Sequence, residues 1–355
     1  MAWRDTPLTR LLNIDYPIIQ APMAGATTPA MAAAAANAGA MGSLGCAMMG
    51  IETMTAELRS AQAGTNRSLN VNFFVHDRPV PDEDLNAVVA ARLAPWYYRL
   101  GAGVMQSPAD TIPAFDELFC EAVITCRPTV ASFHFGLPDA ILVERLKAAG
   151  ILILSSATSA AEARWLEDHG ADIIVAQGAE AGGHNGWFLP RKGADLTGTM
   201  ALVPRVVDAV SVPVVAAGGI ADGRGVAAAL MLGAAGVQVG TAFLATPECA
   251  SPEVHKQAIV AATGDDTMAT RAYSGRLARG VVNDFSRQMA DHSDWPDFPL
   301  MNVATGPIRA ASAKAGLPDA VALWSGQGAG LVRAETTAEV ITRLVAETEA
   351  ALARI

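Results

Sequence analysis

The sequence has few charged side chains, few aromatic ones and very few lysines, and these shortages exclude several classes of protein. Charged residues make up 17% of the 355 residues and apolar residues 51%, which excludes a disordered chain, because such chains are rich in charge and poor in apolar residues. Lysine occurs at only four positions, the formal net charge is −10 and there is no basic run. We therefore expect no nucleic-acid-binding surface.

Cysteine is also scarce, and no two cysteines form a CxxC pair. This argues against both a zinc site and a disulfide framework, and a reducing cytoplasm is the default location. No HExxH motif occurs, so metal catalysis is not expected. The four cysteines are Cys46, Cys120, Cys126 and Cys249.

No segment has the character of a targeting or membrane-spanning sequence. The N-terminal stretch MAWRDTPLTRLL lacks the apolar core of a signal peptide. Two alanine-rich stretches, 31–49 and 226–244, are interrupted by glycine and contain Asn37 and Gln238 respectively. Because a membrane span needs about 20 predominantly apolar residues, we interpret both stretches as buried core.

Eight short apolar runs of strand length recur along the chain, and helical patterns lie between them. Several runs are apolar on both faces, as expected for parallel strands covered by helices. Three of the helical segments, 138–149, 159–169 and 222–232, are followed directly by a glycine, which is typical of a helix C-cap. The pattern predicts a (β/α)₈ TIM barrel, with a doubly wound sheet of fewer strands as the alternative. The runs are 17–21, 41–47, 69–75, 129–135, 151–155, 172–177, 213–218 and 236–244.

The barrel strands end near residue 244, which leaves about a third of the chain for other structure. Residues 246–320 are rich in polar and turn-forming residues, and we expect a small, mostly helical cap there. Residues 335–353 have the pattern of an amphipathic helix that packs back on the barrel. The predicted domains are therefore a barrel of residues 1–245 and 321–355 and a cap of residues 246–320.

Glycine-rich turns follow the last two predicted strands, where barrels most often bind phosphate. Gly218 and Gly219 precede a helix that begins near Asp222, and Gly240 with Thr241 forms a second turn of small residues. Backbone amides and a hydroxyl are suitable donors to a phosphate, although the glycines could instead relieve crowding. Neither GxGxxG nor GK occurs, so a mononucleotide such as flavin mononucleotide (FMN) fits better than a Rossmann-bound dinucleotide or a nucleoside triphosphate.

The sixth predicted strand ends in the sequence AQGAEAGGHNG, which places a histidine at the mouth of the barrel. Gln177 would point into the mouth, and Gly182 and Gly183 would let the chain approach a flat ring. His184 then lies on the rim, where an imidazole can titrate near neutral pH and move a proton. The alternative is a histidine on a surface loop without a catalytic role.

Polar residues on other strands are weaker candidates. Asn70 and Asn72 share one face of the third strand, where their amides need partners; a flavin edge or other barrel side chains would supply them. His134, on the fourth strand, is a secondary candidate because a lone strand histidine is more often a satisfied core residue. Trp324 and Gln327, in LWSGQGAG, could close the site, and packing explains them equally well.

Taken together, several stretches resemble the nitronate monooxygenase family, formerly called 2-nitropropane dioxygenases. They are PIIQAPMAG, NVNFF, VASFHFG, VAQGAEAGGHNG, PVVAAGGIADGRG, VQVGTAFL, YSGRLARG and LWSGQGAG, in this order over residues 17–330. The resemblance implies an FMN-bearing barrel that oxidises alkyl nitronates with O₂ and no nicotinamide, with His184 as catalytic residue. Its implied cofactor-binding residues are Asn72, Gln177, Gly182, Gly183, Gly218, Gly219, Gln238, Val239, Gly240 and Thr241. Ala21, Pro22 and Met23, at the end of the first strand, are expected to line the flavin ring because backbone atoms and the methionine side chain are available there.

One segment departs from the family pattern, so the substrate is less well defined than the flavin site. Where bacterial members carry two tyrosines and a lysine, this chain has Phe298, Asn302 and Gly306. We expect His134, Asn302 and Gln327 to contact the substrate. The alternatives are an NAD(P)H-dependent FMN reductase of quinones or enoyl thioesters, and a non-enzymatic binder of FMN or phosphate. The expected partners are a nitronate and O₂, with a homodimer as a candidate assembly.

Overall fold

The computed structural model describes residues 3–105, 112–190 and 196–354. At its centre, eight parallel strands follow the order β1-β9-β8-β6-β5-β4-β3-β2. A parallel bridge between Ile19 and Met41 joins the two edge strands, so the sheet closes into a barrel. The strands are β1 (Ile18–Gln20), β2 (Gly42–Gly45), β3 (Leu69–Phe74), β4 (Val130–His134), β5 (Leu152–Ala157), β6 (Ile173–Gln177), β8 (Val214–Ala217) and β9 (Gly236–Val239).

Each of the eight predicted apolar runs coincides with one barrel strand, although β5 extends two residues beyond the run 151–155, and this confirms the (β/α)₈ barrel over the doubly wound sheet. The prediction for the last run was too long, because the strand ends at Val239 and not at Leu244. Gly240 ends the strand, and the chain turns into a 3₁₀ helix at Thr241–Phe243. This turn directs the backbone of residues 240 and 241 towards the mouth of the barrel.

Helices surround the barrel, and the three glycines predicted to follow helices adopt the left-handed conformation there: Gly150, Gly170 and Gly233 have φ of 79°, 99° and 94°. As predicted, the C-terminal helix packs back on the barrel, against α9 and α2. The helices are α1 (Pro7–Leu12), α2 (Pro29–Asn37), α3 (Ile51–Gly64), α4 (Glu83–Leu100), α5 (Glu117–Cys126), α6 (Ala140–Ala148), α7 (Ala160–Asp168), α8 (Thr199–Val207), α9 (Gly223–Met231), α10 (Glu253–Ala261), α11 (Asp284–Gln288), α12 (Leu300–Lys314) and α13 (Thr337–Leu352).

The segment 246–320 contains the expected helices, α10 to α12, and also two strands that the sequence analysis did not anticipate. These strands, β10 (Thr267–Thr270) and β11 (Ala278–Val281), form a three-stranded antiparallel sheet with β7 (Gly183–His184). The short strand β7 belongs to the loop after β6. The small sheet therefore connects the predicted cap directly to the histidine loop.

The hydrophobic core has one part inside the barrel and another among the helices and loops outside it. Inside the barrel, Leu154, Val175 and Val215 are almost completely buried. A separate cluster holds Tyr273, Phe285 and Met301 together with apolar residues of α4. Helix α4 lies in the part of the chain that the sequence analysis counted as barrel, yet it packs against α12. In the described part of the chain, no helix is long and apolar enough to cross a membrane.

Candidate functional site

A cavity of about 460 Å³ opens at the carboxyl ends of the barrel strands, and α12 forms part of its wall. The structure brings most of the predicted site residues together around it. Two do not line it: Val239 is buried in the barrel wall, and Gln327 is exposed, although its neighbours Gly326 and Gly328 reach the cavity. Those that line it are Ala21, Pro22, Met23, Asn72, His134, Gln177, Gly182, Gly183, His184, Gly218, Gly219, Gln238, Gly240, Thr241 and Asn302.

The backbone of His184 is held by contacts from both the barrel and the cap. The carbonyl oxygen accepts hydrogen bonds from Gln177 Nε2 at 2.9 Å and from His134 Nε2 at 3.1 Å. On the other side, His184 pairs with Ala278 of β11. Gln177 Oε1 also accepts from the amide of Gly186 at 2.7 Å. The loop carrying the histidine is therefore fixed at several points, as a positioned catalytic group requires.

The imidazole of His184 lies among aromatic rings and makes one polar contact. Its Nε2 is 2.8 Å from Ser274 Oγ, and Ser274 Oγ is 3.1 Å from the carbonyl oxygen of Arg276. When the serine proton points to that carbonyl, Nε2 is the donor and Nδ1 keeps its lone pair. The rings of Phe74, Phe135, Phe298 and Trp324 have centroids 5.6 to 6.1 Å from that of the histidine.

The expectation that His184 titrates near neutral pH does not fit this environment. Burial, together with the smaller effects of the nearby His134, Arg276 and Arg309, lowers the pKa of His184 from 6.5 to about 3. The imidazole is therefore neutral at pH 7. A neutral ring can accept a proton or a hydrogen bond, but it does not supply a positive charge for holding an anion.

His134 forms a hydrogen bond to the backbone of the loop that carries His184. Its Nε2 must donate to the His184 carbonyl, because a carbonyl oxygen only accepts, and its Nδ1 then accepts from the hydroxyl of Ser156. Burial lowers the pKa of His134 to about 4, so this histidine is neutral as well. Both ring nitrogens are engaged by protein atoms, and a positioning role fits His134 better than the predicted substrate contact.

The predicted flavin-binding amides have partners within the barrel. Asn72 Nδ2 donates to Ser132 Oγ at 2.9 Å, and Asn70 Nδ2 donates to Ser43 Oγ at 3.1 Å. Of the two, only Asn72 lines the cavity. Among the described residues, the buried oxygens Asn70 Oδ1 and Gln238 Oε1 have no hydrogen-bond partner, and of these two residues only Gln238 lines the cavity. Such an atom needs a donor, and a bound group with an N–H edge would supply one.

The glycine turns after β8 and β9 form a cradle of bare backbone. Gly218 and Gly219 have φ of 122° and 70°, a region that side chains rarely adopt. In the described part of the chain, no acceptor engages the amides of Gly219 and Gly240. These free donors suit a phosphate.

The start of α9 does not belong to this cradle. Asp222 caps the helix by accepting from the amides of Arg224 and Gly225 at 3.0 and 3.2 Å. The amide of Gly223 donates to Glu347 at 3.1 Å. Because two carboxylates already occupy this helix end, the first amides of α9 are not free to bind an anion.

The sequence analysis did not assign a role to three residues that line the cavity or contact His184. Ser274 contacts His184, and the stretch YSGRLARG contained it without pointing to a role. Phe74 carries no sequence signal beyond its place at a strand end. Arg309 lines the cavity from α12, and nothing in the sequence alone favours it over Lys314 of the same helix. Among the described residues, no group of three or more His, Cys, Asp or Glu side chains could hold a metal ion.

A closed parallel barrel with a glycine cradle and a buried histidine at its carboxyl face defines a (β/α)₈ barrel enzyme. The family model described as nitronate monooxygenase matches residues 5–347. A probable nitronate monooxygenase of Staphylococcus aureus strain Newman is 39% identical over 347 residues, 97% of each chain. The chain belongs to the nitronate monooxygenase family, a family of flavin-dependent oxidoreductases.

Two solved structures are similar over almost the whole chain. A nitroalkane oxidase from Streptomyces ansochromogenes has a TM-score of 0.91 and 37% identity, and the match covers 98% of this chain and 99% of that one. FabK from Thermotoga maritima has a TM-score of 0.77 and 28% identity, with 99% and 98% covered. The resemblance inferred from the sequence motifs is thereby confirmed.

Proposed function

We propose that the protein binds FMN at the mouth of the barrel and oxidises alkyl nitronates with O₂. The observation that carries the proposal is the cavity itself, in which a fixed, neutral His184 and a cradle of unengaged backbone amides line the same space. The membership of the nitronate monooxygenase family and the similarity to a nitroalkane oxidase support the choice of substrate.

The residues present fit FMN at this place. Gly218, Gly219, Gly240 and Thr241 would hold the phosphate, and the unpartnered Gln238 Oε1 would accept from the ring edge. When bound, FMN supplies a group that takes electrons from the nitronate and passes them to O₂. Ala21, Pro22 and Met23 line the same cavity and would contact the cofactor through backbone and apolar atoms.

His184 is proposed as the catalytic residue. In its neutral form, the tautomer protonated on Nδ1 can donate a hydrogen bond to a nitronate oxygen. The tautomer protonated on Nε2 can remove the α-proton with Nδ1 when the neutral nitroalkane is the substrate. The aromatic rings around it exclude water, which strengthens polar contacts inside the cavity. The contacts of Gln177, His134 and β11 hold the loop in place during this proton transfer.

The experiment that tests this role replaces His184 with asparagine. We expect His184→Asn to lose at least about 100-fold in O₂ consumption with propyl-2-nitronate in the absence of NADH, while it keeps its flavin. His292→Asn is the matched control, because His292 is exposed in the cap and should leave the rate unchanged. Full activity of His184→Asn would rule out the proposed role.

The same assay separates the proposal from its alternatives. Rapid loss of flavin absorbance with NADH or NADPH under anaerobic conditions would indicate a reductase of quinones or enoyl thioesters instead. A purified protein that retains no flavin would point to a non-enzymatic role. A cytoplasmic location and a homodimer remain predictions, and fractionation and light scattering would test them.

A further inference from the structure

Arg309 is the only lysine, arginine, aspartate or glutamate among the described residues that line the cavity. It lies on α12, the helix that forms the wall opposite the barrel. The remaining lining residues are apolar side chains, glycines, hydroxyls, amides and histidines. The two histidines at the barrel mouth, His134 and His184, are neutral at pH 7. The guanidinium is therefore the only formally charged side chain on the described lining of this space, although Arg276 lies close enough to act on both histidines.

No carboxylate of the described residues pairs with Arg309. Its Nη2 donates to the carbonyl oxygen of Asn302 at 2.8 Å and to Asn302 Oδ1 at 3.0 Å. Its Nε is buried without a partner, and Nη1 makes no hydrogen bond to the described residues. Asn302 thus fixes the orientation of the guanidinium and leaves other N–H groups free.

Arg309 is half-buried with its Nε fully shielded, and a cation withdrawn from water without a counter-ion is costly, so folding alone does not explain it. Burial lowers the pKa of Arg309 to about 10, so the side chain remains charged at neutral pH. Its positive charge contributes to the lowered pKa of His184, which shows that its field reaches that imidazole. An anion in the cavity would satisfy the free N–H groups and neutralise the charge.

We propose that Arg309, oriented by Asn302, binds the negative charge of the substrate and makes the site selective for anionic over neutral substrates. The inference rests on the proposed function, since a nitronate is an anion and its parent nitroalkane is not. It assigns to Arg309 the charge-holding role that a neutral His184 does not fill. The glycine cradle lies at β8 and β9, away from α12, so flavin retention should not depend on Arg309.

The test compares Arg309→Met, which keeps much of the side-chain length but removes the charge, with Arg287→Met. Arg287 lies on α11 and is exposed, so this control makes the same charge change away from the cavity. We expect Arg309→Met to raise the KM for propyl-2-nitronate by about tenfold or more, with flavin content retained, because truncating one partner of a buried charge pair weakens binding strongly. The KM of Arg287→Met should stay within twofold.

A binding measurement distinguishes failure of this inference from failure of the proposed function. Nitrate is a planar oxyanion that needs no turnover, and its dissociation constant can be measured by calorimetry at constant ionic strength. Wild type should bind nitrate, Arg309→Met should bind it about tenfold more weakly or worse, and Arg309→Lys should recover part of the loss. This result would support the inference even if the wild type oxidised no nitronate.

Two outcomes would overturn the inference. One is a folded, flavin-bound Arg309→Met with wild-type nitrate binding and nitronate KM. The other is a nitrate affinity that falls equally in Arg309→Met and Arg287→Met, which would reflect net charge and not the cavity. If Arg309→Met does not fold, Arg309→Gln decides, because nitrate binding at wild-type strength in this uncharged variant would likewise contradict the inference.

Discussion

At the scale of single residues, the chemistry of the site depends on burial as much as on residue type. The sequence analysis placed His184 and His134 correctly at the mouth of the barrel. A sequence motif does not show how deeply a side chain is buried, and burial sets the pKa of both histidines. Burial keeps both rings neutral, at pKa values of about 3 and about 4. As a consequence, Arg309 and not His184 supplies the positive charge in the cavity.

The neutral histidines predict a pH-dependent stability. His134 has a pKa of about 4 in the folded protein and 6.5 as its ordinary value, so between these pH values the unfolded chain binds the extra proton. The free energy of unfolding therefore rises with pH in this window and falls as the pH drops from about 6.5 towards 4. His134→Gln should reduce this slope by about 1 kcal/mol per pH unit near pH 5, measured by urea unfolding.

The exposed His292 provides the control for this measurement. His292→Gln makes the same exchange at an exposed position and serves as the control for the substitution itself. An unchanged slope in His134→Gln would show that His134 is not held neutral by the fold.

At the scale of elements, the apolar runs predicted all eight barrel strands, because parallel strands buried on both faces have a strong sequence signal. The pairing of β7 with β11 was not predictable in the same way. A strand of two residues, Gly183 and His184, has no periodicity, and its partner lies almost 100 residues further along the chain. This pairing nevertheless fixes the backbone of the candidate catalytic residue.

The contact of α9 with α13 predicts a sharp difference between two glycine substitutions. A Cβ on Gly223 would lie 2.2 Å from the amide nitrogen of Thr348, so the two helices would have to separate. Gly223→Ala should lower the free energy of unfolding by on the order of 1–3 kcal/mol, measured by chemical denaturation.

Gly306, inside α12, provides the comparison for the same exchange. A Cβ there would meet only one atom, Arg309 Nη2 at 3.9 Å. Gly306→Ala should therefore stabilise the protein slightly, by roughly 0.5–1 kcal/mol, because alanine is the better helix former. Equal effects of the two substitutions would contradict the close approach of α9 and α13.

At the scale of the whole molecule, the cap is more than the segment 246–320. Helix α4 contributes Trp96 and Tyr97 to the second hydrophobic cluster, and the Tyr97 hydroxyl donates to the carbonyl of Ala304 on α12 at 2.6 Å. The sequence pattern identified the barrel strands, but it did not show that α4 would pack against α12, which lies about 200 residues later in the chain. Such contacts between distant parts of the chain have no local signal.

Two adjacent tyrosines of α4 test this assignment. Tyr97→Phe removes the buried hydrogen bond to α12 and should lower the free energy of unfolding by about 1 kcal/mol. Tyr98 is 92% exposed, so Tyr98→Phe should change it by less than about 0.5 kcal/mol. Thermal and chemical denaturation of both variants would check this, and a larger effect from Tyr98→Phe would contradict the packing of α4 on α12.

The central claim is that one cavity joins a flavin cradle to a site that oxidises nitronates. The most direct measurement is the absorption spectrum of the purified protein under anaerobic conditions, titrated first with propyl-2-nitronate and, in a second sample, with NADH. We expect a yellow protein whose flavin absorbance changes with the nitronate and not with NADH. A colourless protein, or a flavin that responds to NADH and not to the nitronate, would contradict the claim.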